Sequence, residues 1–134
     1  MDNTPLHTTV IEVRDYECDM QGIVNNAVYQ NYLEHARHTF IKDKGLDFAV
    51  ITQSGVHLVV MRAEIDYKSP LRSGMTAVVE TQCRAISKFK TEFTQTITIQ
   101  GESAKTSASA RFIIASISDS GRPVVFEPIK QLTN

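Results

Sequence analysis

Residues 19–29 read Asp-Met-Gln-Gly-Ile-Val-Asn-Asn-Ala-Val-Tyr. A carboxylate precedes a glycine turn, and the turn opens directly into an amphipathic helix. The apolar period changes here: Tyr29, Tyr32, Leu33, Ala36, Phe40 and Ile41 recur at spacings of three and four, the stripe of a helix with one buried face. Asn25 or Asn26 supplies the N-cap, and Gly45 stands where a left-handed residue ends such a helix. The spacing predicts one long helix over about 26–44. Its first backbone N–H groups have no partner inside the helix. Beside Asp19 they form the two halves of an acyl-transfer site, a general base or nucleophile and donors for a developing oxyanion.

Outside that helix the period is two. Residues 7–14 alternate and are rich in β-branched side chains, so they read as a strand. After residue 56 the alternation resumes. Val59, Met61, Ala63, Ile65 and Tyr67 are assigned to one face of a strand, and Arg62, Glu64, Asp66 and Lys68 to the other. Residues 69–74 are turn chemistry. Residues 75–86, 89–100 and 105–117 read as three more strands, joined through Ser87-Lys88 and Gly101-Glu102; 119–123 is a last turn and the tail at Pro128 is irregular. The expected class is α+β: one helix covering one face of a five-stranded antiparallel sheet that curls around it. Such a sheet leaves edges to be paired or protected, which predicts dimerisation through an edge strand.

At 134 residues with a formal net charge of −1, the chain is expected to be a single domain spanning 1–134. No basic block points to nucleic acid. No apolar run approaches the ~18 residues of a membrane span, and no signal-peptide core opens the chain. Cys18 and Cys83 are too few for a disulfide framework. A soluble protein of the reducing cytoplasm, with no membrane partner, is the expectation.

The order of elements, with Asp19-x-x-Gly22-x-Val24-x-x-x-x-Tyr29 and then Glu34-His35-Ala36-Arg37, resembles the hotdog-fold acyl-CoA thioesterases of the 4-hydroxybenzoyl-CoA thioesterase type. Ala63-Glu64-Ile65-Asp66-Tyr67-x-x-Pro70-Leu71-x-x-Gly74 is similar to that family's second recurring segment. The likeness covers about 8–117, the expected core. It implies a curved sheet wrapped around one helix, homodimers or homotetramers, and active sites between subunits. It also implies that Asp19 attacks the thioester or activates water, and that the backbone amide of Asn26 polarises the carbonyl. No cofactor is implied, since coenzyme A is part of the substrate. A bacterial acyl-CoA subgroup commonly has histidine where this chain has Asn26. The Val24-Asn25-Asn26 run is instead similar to acyl-carrier-protein thioesterases, although those are fused pairs and carry histidine at the position of Ile23.

Each residue has a plainer role as well. Asp is a common turn and capping residue, which competes with catalysis at Asp19. For Gly22 the two readings agree, because a positive-φ turn and close approach to a substrate both call for a missing Cβ. Tyr29 is chiefly core and also lines the acyl pocket. Glu34 reads first as an intrahelical ion pair with Arg37; it is the reserve catalytic carboxylate. His35 and His38 lack a third ligand and read as solvated helix surface, so no metal is expected. His57 is a possible lining residue. Lys88 and Lys90 are either a solvated hairpin tip or a patch for the phosphates of coenzyme A, joined by Arg62 and Arg84 if the fold brings them together.

The expected function is hydrolysis of an acyl-CoA. Acyl-carrier-protein thioesterase activity is the first alternative, and a non-catalytic acyl-CoA-binding module is the second. A hydratase of the same broad fold is disfavoured by the lack of an Asp-x-x-x-x-His motif at the start of the long helix.

Overall fold

The computed structural model describes residues 6–101 and 105–129. In chain order they form β1 (His7–Glu12), α1 (Asn26–Asp43), α2 (Phe48–Gln53), β2 (Val56–Tyr67), β3 (Thr76–Ala85), β4 (Lys90–Ile99) and β5 (Thr106–Ser118), with single 3₁₀ turns at Asp15–Glu17 and Glu127–Ile129. The sheet is antiparallel throughout, in the order β1-β3-β4-β5-β2. It is open, so β1 and β2 are edges. The five-stranded sheet and the single long helix expected from the sequence are both present.

The predicted stripe is what α1 buries. Leu33, Ala36 and Phe40 are fully covered, and they share one core with Val79, Phe93 and Ile97 from the sheet. Phe40 meets Phe93 edge to face, with ring centres 6.2 Å apart. Burying each large apolar side chain contributes roughly 1.5–3 kcal/mol, which outweighs the intrinsic helix propensity of the segment. Asn25 is the N-cap, its side chain accepting the Ala27 N–H at 2.9 Å. Gly45 follows the C-cap with φ +86°.

Three expectations need correction. Residues 48–53 form α2, capped by Asp47 through the Ala49 N–H at 2.8 Å; at six residues it is too short to show a periodic stripe. In β2 the register against β5 shifts between Val60 and Arg62. A bulge of this kind moves the alternation by one residue. Val56, Leu58 and Ile65 therefore pack on the core, while Met61, in the bulge, is 61% exposed. Val59 and Met61 do not share a face with Ala63 and Ile65. The third correction concerns Arg37, which makes no ion pair with Glu34. It is buried and turned to the sheet, where its Nη1 donates to Gln95 Oε1 at 3.1 Å.

On the sheet face away from α1, charges link four strands. Arg84 of β3 donates to Glu92 of β4 at 2.7 Å, and Arg111 of β5 donates to the other oxygen of the same carboxylate. Arg111 also lies 3.5 Å from Glu64 of β2, which Arg62 meets at 2.7 Å. Glu92 is buried beneath its two arginines. They hold its carboxyl below the ordinary value of 4.5, with the Arg84 hydrogen bond as the largest cause and burial opposing it.

Candidate active site

Asp19 sits in a small hairpin between β1 and α1. Cys18 and Val24 bridge its arms, the Asp19 N–H donates to Ile23 O at 2.9 Å, and the Gly22 N–H donates to Asp19 O at 3.0 Å. This is a three-residue loop closed by a left-handed residue, and Gly22 takes that place with φ +79°. The Cβ of a larger residue at position 22 would meet nothing within 4 Å. Within one chain, then, backbone conformation rather than crowding requires the glycine.

The Asp19 carboxylate is oriented by its own loop. Oδ1 accepts the Gln21 N–H at 2.9 Å and the Ile23 N–H at 3.4 Å. Oδ2 has no hydrogen-bond partner among the described residues. The turn role and the chemical role are therefore compatible: one oxygen fixes the group, the other is left without a partner among the described residues, and Asp19 is exposed.

The hairpin is tied to α1 on both sides. Before it, Glu17 Oε1 accepts the Arg14 N–H at 2.9 Å and the Tyr32 hydroxyl at 2.7 Å. Burial and this carboxylate push the Tyr32 phenol well above its usual range. After it, the Val24 N–H donates to Leu71 O at 2.8 Å and the Asn25 N–H to Glu17 O at 3.1 Å. Asn26 is the first residue of α1, and its N–H has no partner among the described residues.

Asn26 stands in the wall of an open cleft of about 240 Å³, formed with Ile23, Val24, Tyr29, Tyr67, Lys68, Ser69 and Pro70. Asp19 is not among these residues but lies opposite Ile23 in the hairpin, its N–H donating to Ile23 O. Tyr29 is buried and faces the edge of Tyr67, with ring centres 5.2 Å apart and planes at 86°. Its hydroxyl accepts the Leu71 N–H at 2.9 Å. Ser107 Oγ, 3.3 Å from the same hydroxyl, donates to Ser69 O at 2.6 Å. The free helix terminus suits a carbonyl oxygen directed at Asn26. Lys68 adds a cation at the edge.

Asp19, Gly22, Asn26 and Tyr29 thus converge at one end of the sheet. His57 stands at the other end of β2, ten positions from Tyr67, and pairs with Asp119 at 2.7 Å. Lys88 lies in the β3–β4 turn and Lys90 opens β4 at that same far end, where Lys90 is in register with Ala115 and Ala115 with Val59. Arg62 lies mid-strand, engaged with Glu64, and Arg84 is engaged with Glu92. One chain alone does not join these residues to the cleft. Glu34 lines a separate pocket beside Arg37 and His38. His35 and His38 are both exposed on α1; His38 packs one face on Phe48 with ring centres 4.4 Å apart, and that partial burial lowers its pKa. Among the described residues, no three His, Cys, Asp or Glu side chains group as metal ligands, and no helix is long and apolar enough to cross a membrane.

Sequence reasoning missed Tyr67, Lys68, Ser69 and Pro70 as cleft walls. The signal was the Ala63–Gly74 segment: Lys68 and Ser69 fill the two variable positions between Tyr67 and Pro70.

A family model described as the thioesterase-like superfamily matches residues 13–130. The chain is 42% identical over 91 residues to the chloroplastic acyl-acyl carrier protein thioesterase ATL2 of Arabidopsis thaliana, covering 68% of this chain and 48% of that one. It is 29% identical over 94 residues to the long-chain acyl-CoA thioesterase FadM of Escherichia coli, covering 70% of each. The chain spans about half the length of its Arabidopsis relatives. Its fold is similar to that of Slr0204, a 1,4-dihydroxy-2-naphthoyl-CoA thioesterase from Synechocystis, with a TM-score of 0.90 at 19% identity over 96% of each chain.

Proposed function

Because this chain belongs to the thioesterase-like superfamily, we propose that it hydrolyses an acyl-CoA thioester to a free carboxylate and coenzyme A. The observation that carries the reading is Asn26, the first residue of α1, in the wall of the cleft with its N–H unpaired among the described residues, beside the hairpin in which Asp19 pairs with the cleft residue Ile23. The thioester carbonyl oxygen accepts from Asn26, which gathers the negative charge of the tetrahedral intermediate at the helix N-terminus. Asp19 either attacks the carbonyl carbon, giving an anhydride that water then opens, or removes a proton from an attacking water. In both routes the C–S bond breaks and the thiolate leaves.

The site is proposed to be completed by a second copy, in a homodimer or homotetramer. Edge strand β2 is twelve residues long and lacks proline, and Val60, Met61 and Tyr67 are 49%, 61% and 45% exposed. Such an edge invites pairing. Antiparallel pairing of two β2 strands sets the His57 end of one beside the Tyr67 end of the other. Lys88 and Lys90 of one copy then approach the other copy's cleft, at the place for the phosphates of coenzyme A.

An acyl carrier protein as the carrier is the second reading. The similarity to the Arabidopsis acyl-acyl carrier protein thioesterase favours it. A thiol-release screen over aromatic, short-chain and long-chain acyl-CoAs and acyl-carrier-protein thioesters decides between them. Asp19→Asn is the control, expected to lose ~10²–10⁴-fold in turnover while folding normally. Unchanged turnover in that variant would refute the assignment of Asp19, and binding of these thioesters without turnover by the native chain would refute hydrolysis.

A further inference from the structure

Arg37 follows Leu33 and precedes Ile41 by four residues, so it occupies the apolar stripe of α1. Gln95 breaks the stripe of β4 in the same way, lying between Phe93 and Ile97 on the covered face. Both are buried, Arg37 to 6% exposure. The amide of Gln95 is committed: Nε2 donates to Leu33 O and to Thr81 Oγ1, each at 3.0 Å, and Oε1 accepts from Arg37. The guanidinium is not. It has five N–H donors, yet its partners among the described residues are Gln95 Oε1 and the face of Phe112, 4.0 Å from the guanidinium carbon. Burying a cation without a carboxylate is costly, and nothing in the packing of the core calls for it.

Among the described residues, no fully buried side-chain nitrogen or oxygen lacks a hydrogen-bond partner, so any guanidinium nitrogen of Arg37 without a partner keeps some exposure, and Arg37 lines a pocket. That pocket, of about 110 Å³, lies between α1 and β2 and is otherwise mostly apolar, with Leu58, Val60, Phe93 and Ile114 among its walls. Glu34 stands at the same pocket, so a carboxylate brought to Arg37 meets like charge. A neutral oxygen does not.

We propose that this pocket receives the acyl part of the substrate, and that Arg37 selects acyl groups carrying a neutral hydrogen-bond acceptor, a hydroxyl or a keto oxygen, remote from the thioester. The inference rests on the thioesterase reading. Burial draws the guanidinium down to about 10, against the opposing field of Glu34. A hydrocarbon end leaves those donors unpaired, and an oxygenated end satisfies them. For a hydrogen bond to a charged donor, the difference amounts to roughly 10–100-fold.

The test uses straight-chain acyl-CoAs of several lengths, each with a twin bearing a terminal hydroxyl. Thiol release gives kcat/KM, and calorimetry gives the affinity of each thioester for the Asp19→Asn variant. At the best length, the native chain is expected to favour the hydroxyl twin about 10-fold or more. Arg37→Met is expected to bring the twins together, and Arg37→Lys to keep part of the preference. Equal treatment of the twins by the native chain overturns the proposal, as does an Arg37→Met variant that lowers both equally. If Arg37→Met does not fold, the native preference and its partial retention in Arg37→Lys decide. If no thioester is hydrolysed, the thioesterase reading fails by itself, and the calorimetric difference between twins still judges the role of Arg37.

Discussion

The phenolic oxygen of Tyr29 accepts the backbone N–H of Leu71 at 2.9 Å. Through that atom α1 holds the turn that follows β2, and Ser107 of β5 lies 3.3 Å from it. α1 and the turn after β2, which both line the cleft, are thus joined to each other and to β5. Tyr29→Phe leaves the Leu71 N–H buried without its acceptor, which is expected to cost about 1–3 kcal/mol. In urea the midpoint should fall with the slope unchanged. A midpoint equal to that of the native chain would mean that the phenol does not tie these elements.

Gly22 separates strain from crowding. Its φ of +79° disfavours any residue with a Cβ, while the surrounding space would admit one. Gly22→Ala should therefore cost about 1–2 kcal/mol, and Gly22→Asn visibly less, since Asn tolerates the left-handed region better. Thermal unfolding of the pair checks this. Equal losses for Ala and Asn would point to a cause other than backbone conformation.

What could be read before folding was whatever depends on near neighbours. The stripe from Tyr29 to Ile41, the Asn25 cap and Gly45 set α1 to within a residue, and the strands followed from alternation. The bulge at Met61 escaped, because one extra residue in a pairing is a property of β2 against β5, not of β2. Arg37 was assigned to Glu34, three residues away, because helix spacing makes them neighbours. It turned instead to Gln95, 58 positions on, which only the sheet brings near. For the same reason Asp19, Gly22 and Asn26 were legible as one local motif. The placement of His57, Lys88 and Lys90 at the far end of the sheet was not.

Glu92 makes stability depend on acid. Its carboxyl titrates below 4.5 in the fold, chiefly through the Arg84 hydrogen bond. A depressed carboxyl stabilises fully above its ordinary value, and that contribution is lost as pH falls through the folded value. Glu92→Gln should be less stable than the native chain at neutral pH and lose less on acidification, so the two urea midpoints converge as pH falls below 4.5. Curves that stay parallel through that window would assign the acid sensitivity elsewhere.

The backbone of Asn26 can be tested without removing its helix. Asn26 is the first residue of α1, a position where proline is well tolerated because the helix does not use that N–H. Asn25, at φ −64° and ψ 142°, already has the extended conformation that a following proline demands. Asn26→Pro should therefore fold while deleting the one donor assigned to the oxyanion, and kcat should drop by ~10²–10³-fold. Asn26→Ala, which keeps the amide and loses only the side chain, should retain most of the rate. Equal losses in the two variants would place the role in the side chain. A proline variant with native turnover would show that the helix terminus does not hold the developing charge.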